Sequence, residues 1–325
     1  MRKIMKKLIL LLIMVLSTVL SHAEEKKRLL ILDSQTQEPY RTLRETVLNE
    51  LSALGYRKEE NLLIEYEIIA NYAGRVRNIL RHSKKQYDVI FINGTMSAMG
   101  ALEFINRDVE NADAYHFIFG NVTDPVGLGL IPALGVPSHT RFTGIAYPVD
   151  VEERLRFVKQ IFGKNLKVGY IYAEMPQSLA YNRWLKSALE KEAFRDMTFF
   201  FRSVEFVKSD RGHGRMAMLA EKIVRDLDSR VDLFMSPNDQ MGISGAFSQM
   251  VYRTSTKPLV GIGRDKGCVV SLTPDLAKTG QKLAAMIKQV FEGAKLDDLI
   301  PHSSESSVYY DEEIGKKFNI NAPEW

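Results

Sequence analysis

The chain has 325 residues, with 44 Lys and Arg against 40 Asp and Glu. Four of the basic residues lie in the first seven positions, which leaves 40 basic and 40 acidic side chains in the rest of the chain. A neutral chain has no electrostatic basis for binding nucleic acid, and we expect no such partner. A chain of this length is at the upper limit for a single hydrophobic core, so we expect it to fold into two lobes.

The N-terminus has the pattern of a secretory signal peptide. A basic segment precedes an apolar run from Leu8 to Leu20, and residues 21–23 form a small-x-small cleavage signal. The apolar run is shorter than the roughly 20 residues that span a bilayer. We therefore expect residues 1–23 to be removed by cleavage near Ala23, giving a periplasmic or secreted protein. An uncleaved anchor is the alternative.

Strands and helices are predicted to alternate along the chain. In the first part, short apolar runs predict strands at 28–32, 62–69, 87–92 and 117–119, and helical spacing of Leu43, Val47 and Leu51 predicts a helix. A crossing strand is predicted at 142–147. The alternation of strands and helices then restarts. Strands are predicted at 167–172, 197–207, 231–235, 259–262 and 268–272, and helices at 150–162, 179–193, 215–227 and 275–291. A polar linker is predicted at 303–307.

This alternation favours parallel βαβ units. We expect an α/β protein with two doubly wound parallel-sheet lobes joined by a multi-strand hinge. The N-terminal lobe is expected to comprise 28–143 and 269–295, and the C-terminal lobe 144–268 and 296–325. Two lobes joined in this way enclose a ligand by hinge closure.

The segment from His116 to Gly144 combines a strand with polar residues at its end. Thr123 and Asp124 follow the strand, at the position where parallel sheets bind ligands. Asp124 also precedes Pro125, and Asp before Pro is a helix-start signal. The sequence leaves both roles of Asp124 open, a cap for a helix starting at Pro125 and a ligand contact.

No catalytic or metal-binding motif is present in the sequence. The histidines outside the signal peptide have no helical metal-pair spacing, and neither a G-x-S-x-G elbow nor a phosphate-binding loop occurs. We therefore expect no enzymatic activity and no cofactor. The single cysteine, Cys268, excludes an internal disulfide.

Polar and aromatic side chains, Thr123 and Gln177 among them, follow several predicted strands, as in a binding cleft. The candidate ligand-binding residues are Thr95, Ser97, Asp124, Tyr147, Tyr172, Ser178, Asp239 and Asp265. Hydroxyl groups at helix starts hold a carboxylate, aspartates hold an ammonium group, and tyrosines cover an apolar body. This set is suited to a small zwitterion with an apolar side chain.

Ordered motifs along the chain resemble a known family. They are Tyr87–Ile92 followed by Thr95, VTDPVGLGLI at 122–131, Thr143-Gly144, Tyr172 before a loop ending in Ser178, VDLFMSPND at 231–239, and Gly280. The chain resembles the ABC-transporter substrate-binding proteins that include tryptophan- and tyrosine-binding members and have the type I periplasmic binding protein fold. The chain departs from the family at Ser34, Glu38-Pro39, Arg141, Ala173-Glu174 and Gln177-Ser178.

The resemblance implies a carrier that encloses an amino acid or similar solute and delivers it to a membrane permease and its ATPase. We expect the protein to be a monomer. It implies ligand-facing roles for Thr95, Asp124, Ser178 and Asp239. Two alternatives remain open from the sequence. One is a ligand-sensing subunit for a membrane sensor kinase, and the other, with less support, is an envelope hydrolase.

Overall fold

The computed structural model describes residues 26–83, 85–109, 114–264 and 266–324, which form two α/β lobes. The predicted signal peptide and the candidate residue Asp265 lie outside the described residues. Within the described ranges, every helix is too short or too polar to cross a membrane.

Each lobe contains a six-stranded sheet. The strands of the N-terminal sheet are β1 (Lys27–Asp33), β2 (Leu62–Ile68), β3 (Val89–Asn93), β4 (Phe117–Val122), β5 (Phe142–Ala146) and β11 (His302–Ser303). Their order in the sheet is β11-β5-β4-β3-β1-β2, and all the pairs are parallel.

The C-terminal sheet has the order β12-β10-β9-β8-β6-β7 and is parallel except for the antiparallel pair β10–β12. Its strands are β6 (Lys167–Ala173), β7 (Thr198–Val204), β8 (Leu233–Met235), β9 (Leu259–Gly261), β10 (Val270–Pro274) and β12 (Ser306–Tyr310).

Helices cover both faces of both sheets, as expected for doubly wound lobes. Those of the N-terminal lobe are α1 (Tyr40–Ala53), α2 (Ala73–His82), α3 (Thr95–Asp108) and α8 (Leu276–Phe291). Those of the C-terminal lobe are α4 (Val151–Phe162), α5 (Pro176–Leu189), α6 (Gly212–Leu227), α7 (Gly245–Thr254) and α9 (Glu312–Phe318). Short 3₁₀ turns lie at Glu192–Phe194, Asp228–Arg230 and Leu296–Asp298.

The amphipathic pattern explains where these helices pack. On α1, Leu43, Val47 and Leu51 are fully buried because a spacing of four residues places them on one face. That face packs against α8, although more than 200 residues separate the two helices in sequence. Asp275 caps α8 by accepting a hydrogen bond from the Lys278 amide over 3.0 Å, which fixes where the helix begins.

The chain passes between the lobes three times. It leaves the N-terminal sheet after β5, returns after β10 into α8, and leaves again between β11 and β12. The expected boundary after residue 143 falls inside β5, and the one after 268 falls just before β10. We therefore propose to divide the lobes at 147–150, 275 and 304–305, where the chain lies between strands of different sheets.

Three local predictions differ from the structure. No helix starts at Pro125; residues 125–129 form turns, in which Gly129 has φ +78°, a left-handed value that interrupts a helix. The predicted linker at 303–307 instead supplies residues to β11 and β12. The helices α7 and α9 were not predicted.

Candidate functional site

The carboxyl ends of the two sheets meet at a cleft between the lobes. A small cavity of about 20 Å³, which we call the inner cavity, lies at their junction. Both lobes contribute to its lining, which consists of Pro39, Tyr40, Thr95, Asn121, Thr123, Tyr147, Gln177, Asn238, Asp239, Gln240 and Ile243. The position agrees with the rule that open α/β sheets bind ligands outside the carboxyl ends of their strands.

A larger space of about 280 Å³, the outer chamber, adjoins the inner cavity. Pro39, Tyr147 and Ile243 line both, so the two spaces are neighbours. The remaining residues of the outer chamber are Glu38, Thr42, Thr46, Gly263, Arg264, Thr273, Pro274, Asp275, Leu276 and Ala277. Tyr147, Ile243 and Leu276 pack together and give the chamber an apolar wall.

Hydrogen bonds across the cleft hold the lobes together. The Asn238 amide donates to Thr123 Oγ1 over 3.2 Å, and the Gln240 amide donates to the Tyr40 hydroxyl over 3.0 Å. Further from the inner cavity, Asp210 accepts from Thr36 through its backbone N–H over 2.8 Å and its hydroxyl over 2.6 Å. The lobes are therefore in a closed arrangement.

Thr95, Tyr147 and Asp239 are the candidate residues that line the inner cavity. Thr95 begins α3 and is buried, and its hydroxyl accepts a hydrogen bond from the Thr123 amide over 3.2 Å. Tyr147 follows β5 at the crossing between lobes and is 7% exposed. Thr95 therefore adds a hydroxyl to the inner cavity, and Tyr147 adds an aromatic ring to both the cavity and the outer chamber.

The carboxylate of Asp239 is hydrogen-bonded within its own lobe. Oδ2 accepts from the Ala173 amide over 2.9 Å and from the Ser178 hydroxyl over 2.8 Å, and Oδ1 accepts from the Gly242 amide over 2.8 Å. Burial raises the pKa of Asp239 from 3.8 to about 6, although these hydrogen bonds act to lower it. Asp239 and Ser178 thus join the loops after β6 and β8.

Asp124 lies on another side of the cleft. Its Oδ1 accepts from the Gly127 amide over 2.7 Å, and its Oδ2 is 3.8 Å from the Arg183 guanidinium of the other lobe. It lines a separate cavity of about 640 Å³, together with Trp184 and Lys191. Asp124 therefore caps a turn and faces the opposite lobe, away from the inner cavity.

Ser97 and Tyr172 are not among the described residues that line the inner cavity or the outer chamber. Ser97 is fully buried, and its hydroxyl is 3.1 Å from that of Ser34. Tyr172 is half-buried and packs against the core of the C-terminal lobe, with its ring 6.3 Å from that of Tyr170. In this arrangement both side chains support neighbouring elements.

Amide side chains make up another part of the inner cavity; the strand-end residues noted in the sequence include Gln177 but neither Asn121 nor Asn238. Asn121, Gln177 and Asn238 line the inner cavity and are 6%, 5% and 2% exposed. Each has a side-chain oxygen without a hydrogen-bond partner among the described residues. A signal for Asn121 and Asn238 exists in the sequence, since Asn121 lies near the end of the buried strand β4 and Asn238 follows the buried strand β8, beside the selected Asp239.

A buried hydrogen-bond chain leads from Asp33 to Asn121. Asp33, at the end of β1, is paired with Arg44 and accepts from Asn93 Nδ2 over 2.8 Å. Asn93 Oδ1 in turn accepts from Asn121 Nδ2 over 2.7 Å. Burial raises the pKa of Asp33 from 3.8 to about 6, although Arg44 and Asn93 act to lower it.

Comparison with solved structures shows the fold. A conserved domain protein from Vibrio cholerae has a TM-score of 0.75 at 17% identity over 92% of this chain and 97% of its own. An ABC domain from Streptococcus pneumoniae, in complex with L-Trp, has a TM-score of 0.73 at 18% identity over 92% and 97%. A solute-binding protein from Clostridium phytofermentans, with bound L-rhamnose, has a TM-score of 0.61 at 11% identity over 90% and 98%. The predicted type I periplasmic binding protein fold is confirmed.

Sequence comparison shows the family. The search of curated proteins found no significant match. Residues 38–324 match the family described as ABC transporter substrate binding protein. The match covers all of the N-terminal lobe after the loop that follows β1, the C-terminal lobe, and every residue that lines the inner cavity. The chain belongs to the ABC transporter substrate-binding protein family.

Proposed function

We propose that this protein is an extracytoplasmic carrier that closes over a small amino-acid-like solute and delivers it to an ABC importer. The observation that carries the proposal is the two-part cleft. Polar side chains of both lobes surround the inner cavity, and an apolar wall borders the outer chamber. A solute with one strongly polar end and a small apolar body matches both parts.

The arrangement of the cleft supports binding of a solute without catalysis. The carboxylate of Asp239 is engaged by three donors from its own lobe, and these bonds position loops of the cleft wall. Micromolar affinity requires roughly 8 kcal/mol. Charge-assisted hydrogen bonds and burial of an apolar group supply that much after the cost of closing the lobes.

Placement outside the cytoplasm follows from the family, and we propose that export uses the N-terminal signal with cleavage near Ala23. N-terminal sequencing of the protein recovered from the periplasm or medium tests the cleavage. A mature N-terminus within a few residues of position 24 supports it, and an intact Met1 contradicts it.

Calorimetric titration of the purified chain against amino acids, purines and sugars tests the ligand class. We expect at least one amino acid to bind and to raise the melting temperature. Delivery is tested by stimulation of ATP hydrolysis in proteoliposomes that contain the permease and ATPase encoded beside the gene. If no solute of the panel binds, the carrier function is refuted.

A further inference from the structure

We infer that the inner cavity receives an ammonium group, held by the side-chain oxygens of Asn121, Gln177 and Asn238, and that Asp33 is a positioning residue that orients Asn121 through Asn93. The inference rests on the proposed function and names the ligand group that enters the deepest part of the cleft.

The number of acceptors matches the donors of an ammonium group. Asn121 Oδ1, Gln177 Oε1 and Asn238 Oδ1 are buried and lack hydrogen-bond partners among the described residues. Burying a polar atom without a partner is costly, so a native cavity with three such oxygens is expected to bind a group that donates to them. A protonated primary amine has three N–H donors.

The size of the inner cavity restricts what enters it. Its volume of about 20 Å³ is close to the roughly 10–15 Å³ that one water-sized group occupies. An ammonium group meets this limit, whereas an aromatic ring or a sugar ring does not. Since the outer chamber adjoins the cavity at Pro39, Tyr147 and Ile243, the body of the ligand has about 280 Å³ there.

The charge of the lining favours a cation. The described residues that line the inner cavity include no Lys, Arg or His, and the one charged side chain among them is Asp239. The oxygens of Asp239 already accept three hydrogen bonds, so it contributes negative potential rather than a direct contact. The direct contacts therefore come from the amides.

The chain from Asp33 determines which atom Asn121 presents. An ionised carboxylate only accepts hydrogen bonds, so Asn93 must turn its Nδ2 toward Asp33, and the same Nδ2 also donates to the Tyr40 carbonyl over 2.9 Å. Asn93 Oδ1 then faces Asn121, whose Nδ2 donates to it. As a result Asn121 Oδ1, and not Nδ2, is left for the ligand.

The experiment measures binding of probe pairs that differ only in the amino group. The pairs are L-tryptophan with indole-3-propionate and L-leucine with 4-methylpentanoate, titrated calorimetrically into the purified chain, with L-rhamnose and myo-inositol as polyhydroxyl probes. We expect the amino member of the better pair to bind about 100-fold more tightly, because its deamino analogue leaves the three oxygens unpaired.

Substitutions separate positioning from general stability. Asp33→Asn removes the charged acceptor of Asn93 and leaves only the Tyr40 carbonyl to orient its amide, so the preference for the amino member is expected to fall about tenfold. A purely structural role would weaken both members equally and leave their ratio unchanged. Gln177→Leu is the second variant, which keeps the test available if Asp33→Asn does not fold. It removes one of the three acceptors, a side chain with few other hydrogen bonds, and is expected to lower the same ratio. Asp228→Asn, a carboxylate bonded to Thr256 far from the cleft, is the control.

The outcomes distinguish this inference from the proposed function. Equal affinity for both members of a pair, or binding of a sugar probe alone, overturns the ammonium site while solute binding stands. An unchanged ratio in both Asp33→Asn and Gln177→Leu likewise overturns it. Absence of binding by every probe and every amino acid refutes the carrier function itself, and the ammonium site with it.

Discussion

The side-chain amides of Asn71 and Gln240 pair reciprocally across the two lobes. Asn71 Nδ2 donates to Gln240 Oε1 over 2.6 Å, and Gln240 Nε2 donates to Asn71 Oδ1 over 2.7 Å. Both residues are buried, with exposures of 0% and 1%. Because 169 positions separate them and they belong to different lobes, this pair exists only when the lobes are closed.

Asn71→Ala is therefore expected to favour opening. The substitution leaves the Gln240 oxygen without this donor in the closed form, at a cost of about 1–3 kcal/mol, whereas water satisfies it in the open form. We expect a larger radius of gyration by small-angle X-ray scattering and roughly tenfold weaker binding of the ligand.

The matched control for this substitution is Asn61→Ala. Asn61 bonds within its own lobe, to the Gly55 carbonyl over 2.9 Å and the Arg57 amide over 2.8 Å, and does not touch the other lobe. Asn61→Ala should leave the small-angle scattering curve unchanged. Identical curves for Asn71→Ala and the wild type, with and without ligand, would show that the pair does not govern closure.

Asp33 is expected to make stability fall as pH rises from about 4 to about 6. Its pKa in the native state is about 6 because of burial, against 3.8 ordinarily, so the folded chain retains a proton that the unfolded chain has lost. The free energy of unfolding of the wild type relative to Asp33→Asn should decline by roughly 3 kcal/mol across this window and then level off. Urea unfolding at pH 4, 5, 6 and 7 measures it.

Asp228→Asn is the control, because the pKa of Asp228 is shifted in the opposite direction. Burial acts to raise the pKa of Asp228, but hydrogen bonds from Ser255 and Thr256 outweigh it and hold the pKa below its usual value. Its contribution to stability is present above the ordinary pKa and is lost as pH falls through the lowered one. A pH profile of Asp33→Asn that parallels the wild type would contradict the raised pKa of Asp33.

The sequence was sufficient to predict most strands because parallel strands are buried on both faces. β3 and β4 are short apolar runs that end in polar residues, and such runs are visible without a structure. The turn after Asp124 was mistaken for a helix because a local start signal does not reveal that Gly129 adopts a left-handed φ. The strands β11 and β12 lack a buried apolar run, since each lies at an edge of its sheet.

The strand ends predicted where the site lies, but not which atoms face it. Of the charged and hydroxyl residues selected, Thr95, Tyr147 and Asp239 line the inner cavity, as do Asn121 and Asn238, which were not selected. The role of an amide depends on partners distant in sequence; the bond between Asn93 and Asp33 spans 60 positions, and that between Asn238 and Thr123 spans 115. The first pairing arises only when β1 and β3 are side by side, and the second only when the two lobes meet.

Arg154 is expected to hold in place the loops that the C-terminal lobe contributes to the cleft. It is fully buried on α4, and its Nη2 donates to the Ser236 carbonyl over 2.7 Å and the Gly261 carbonyl over 3.2 Å. Those carbonyls lie where β8 and β9 end, just before Asn238 and Gly263. Arg154→Met leaves both without this donor, so we expect weaker ligand binding and faster amide hydrogen exchange in 236–240 and 261–264.

Arg156→Met is the matched control on the same helix. Arg156 is exposed and pairs with Glu152 over 3.0 Å at i,i+4 spacing, an arrangement worth about 0.3–0.5 kcal/mol. It should change neither exchange nor affinity. If the amide hydrogens of 236–240 and 261–264 exchange at the same rates in Arg154→Met and Arg156→Met, Arg154 does not hold these loops in place.

Gly144, in the Thr-Gly pair of the sequence motif, is expected to be intolerant of any side chain for a packing reason. Its φ is +151°, and a Cβ built on it would lie 2.0 Å from the Phe119 carbonyl oxygen of the neighbouring strand β4. Gly144→Ala should therefore destabilise the N-terminal lobe by about 1–3 kcal/mol, since backbone must move to admit the methyl group. Urea unfolding measures the loss.

Gly74, near the start of α2, is the matched position where a methyl group meets nothing within 4 Å. Gly74→Ala should raise stability by up to about 1 kcal/mol, because Ala is the better helix former. Equal stability of the two variants would contradict the packing argument. A loss confined to Gly144→Ala, with the ligand affinity of the folded fraction unchanged, would establish that this part of the motif serves the register of β4 and β5 and does not contact the solute.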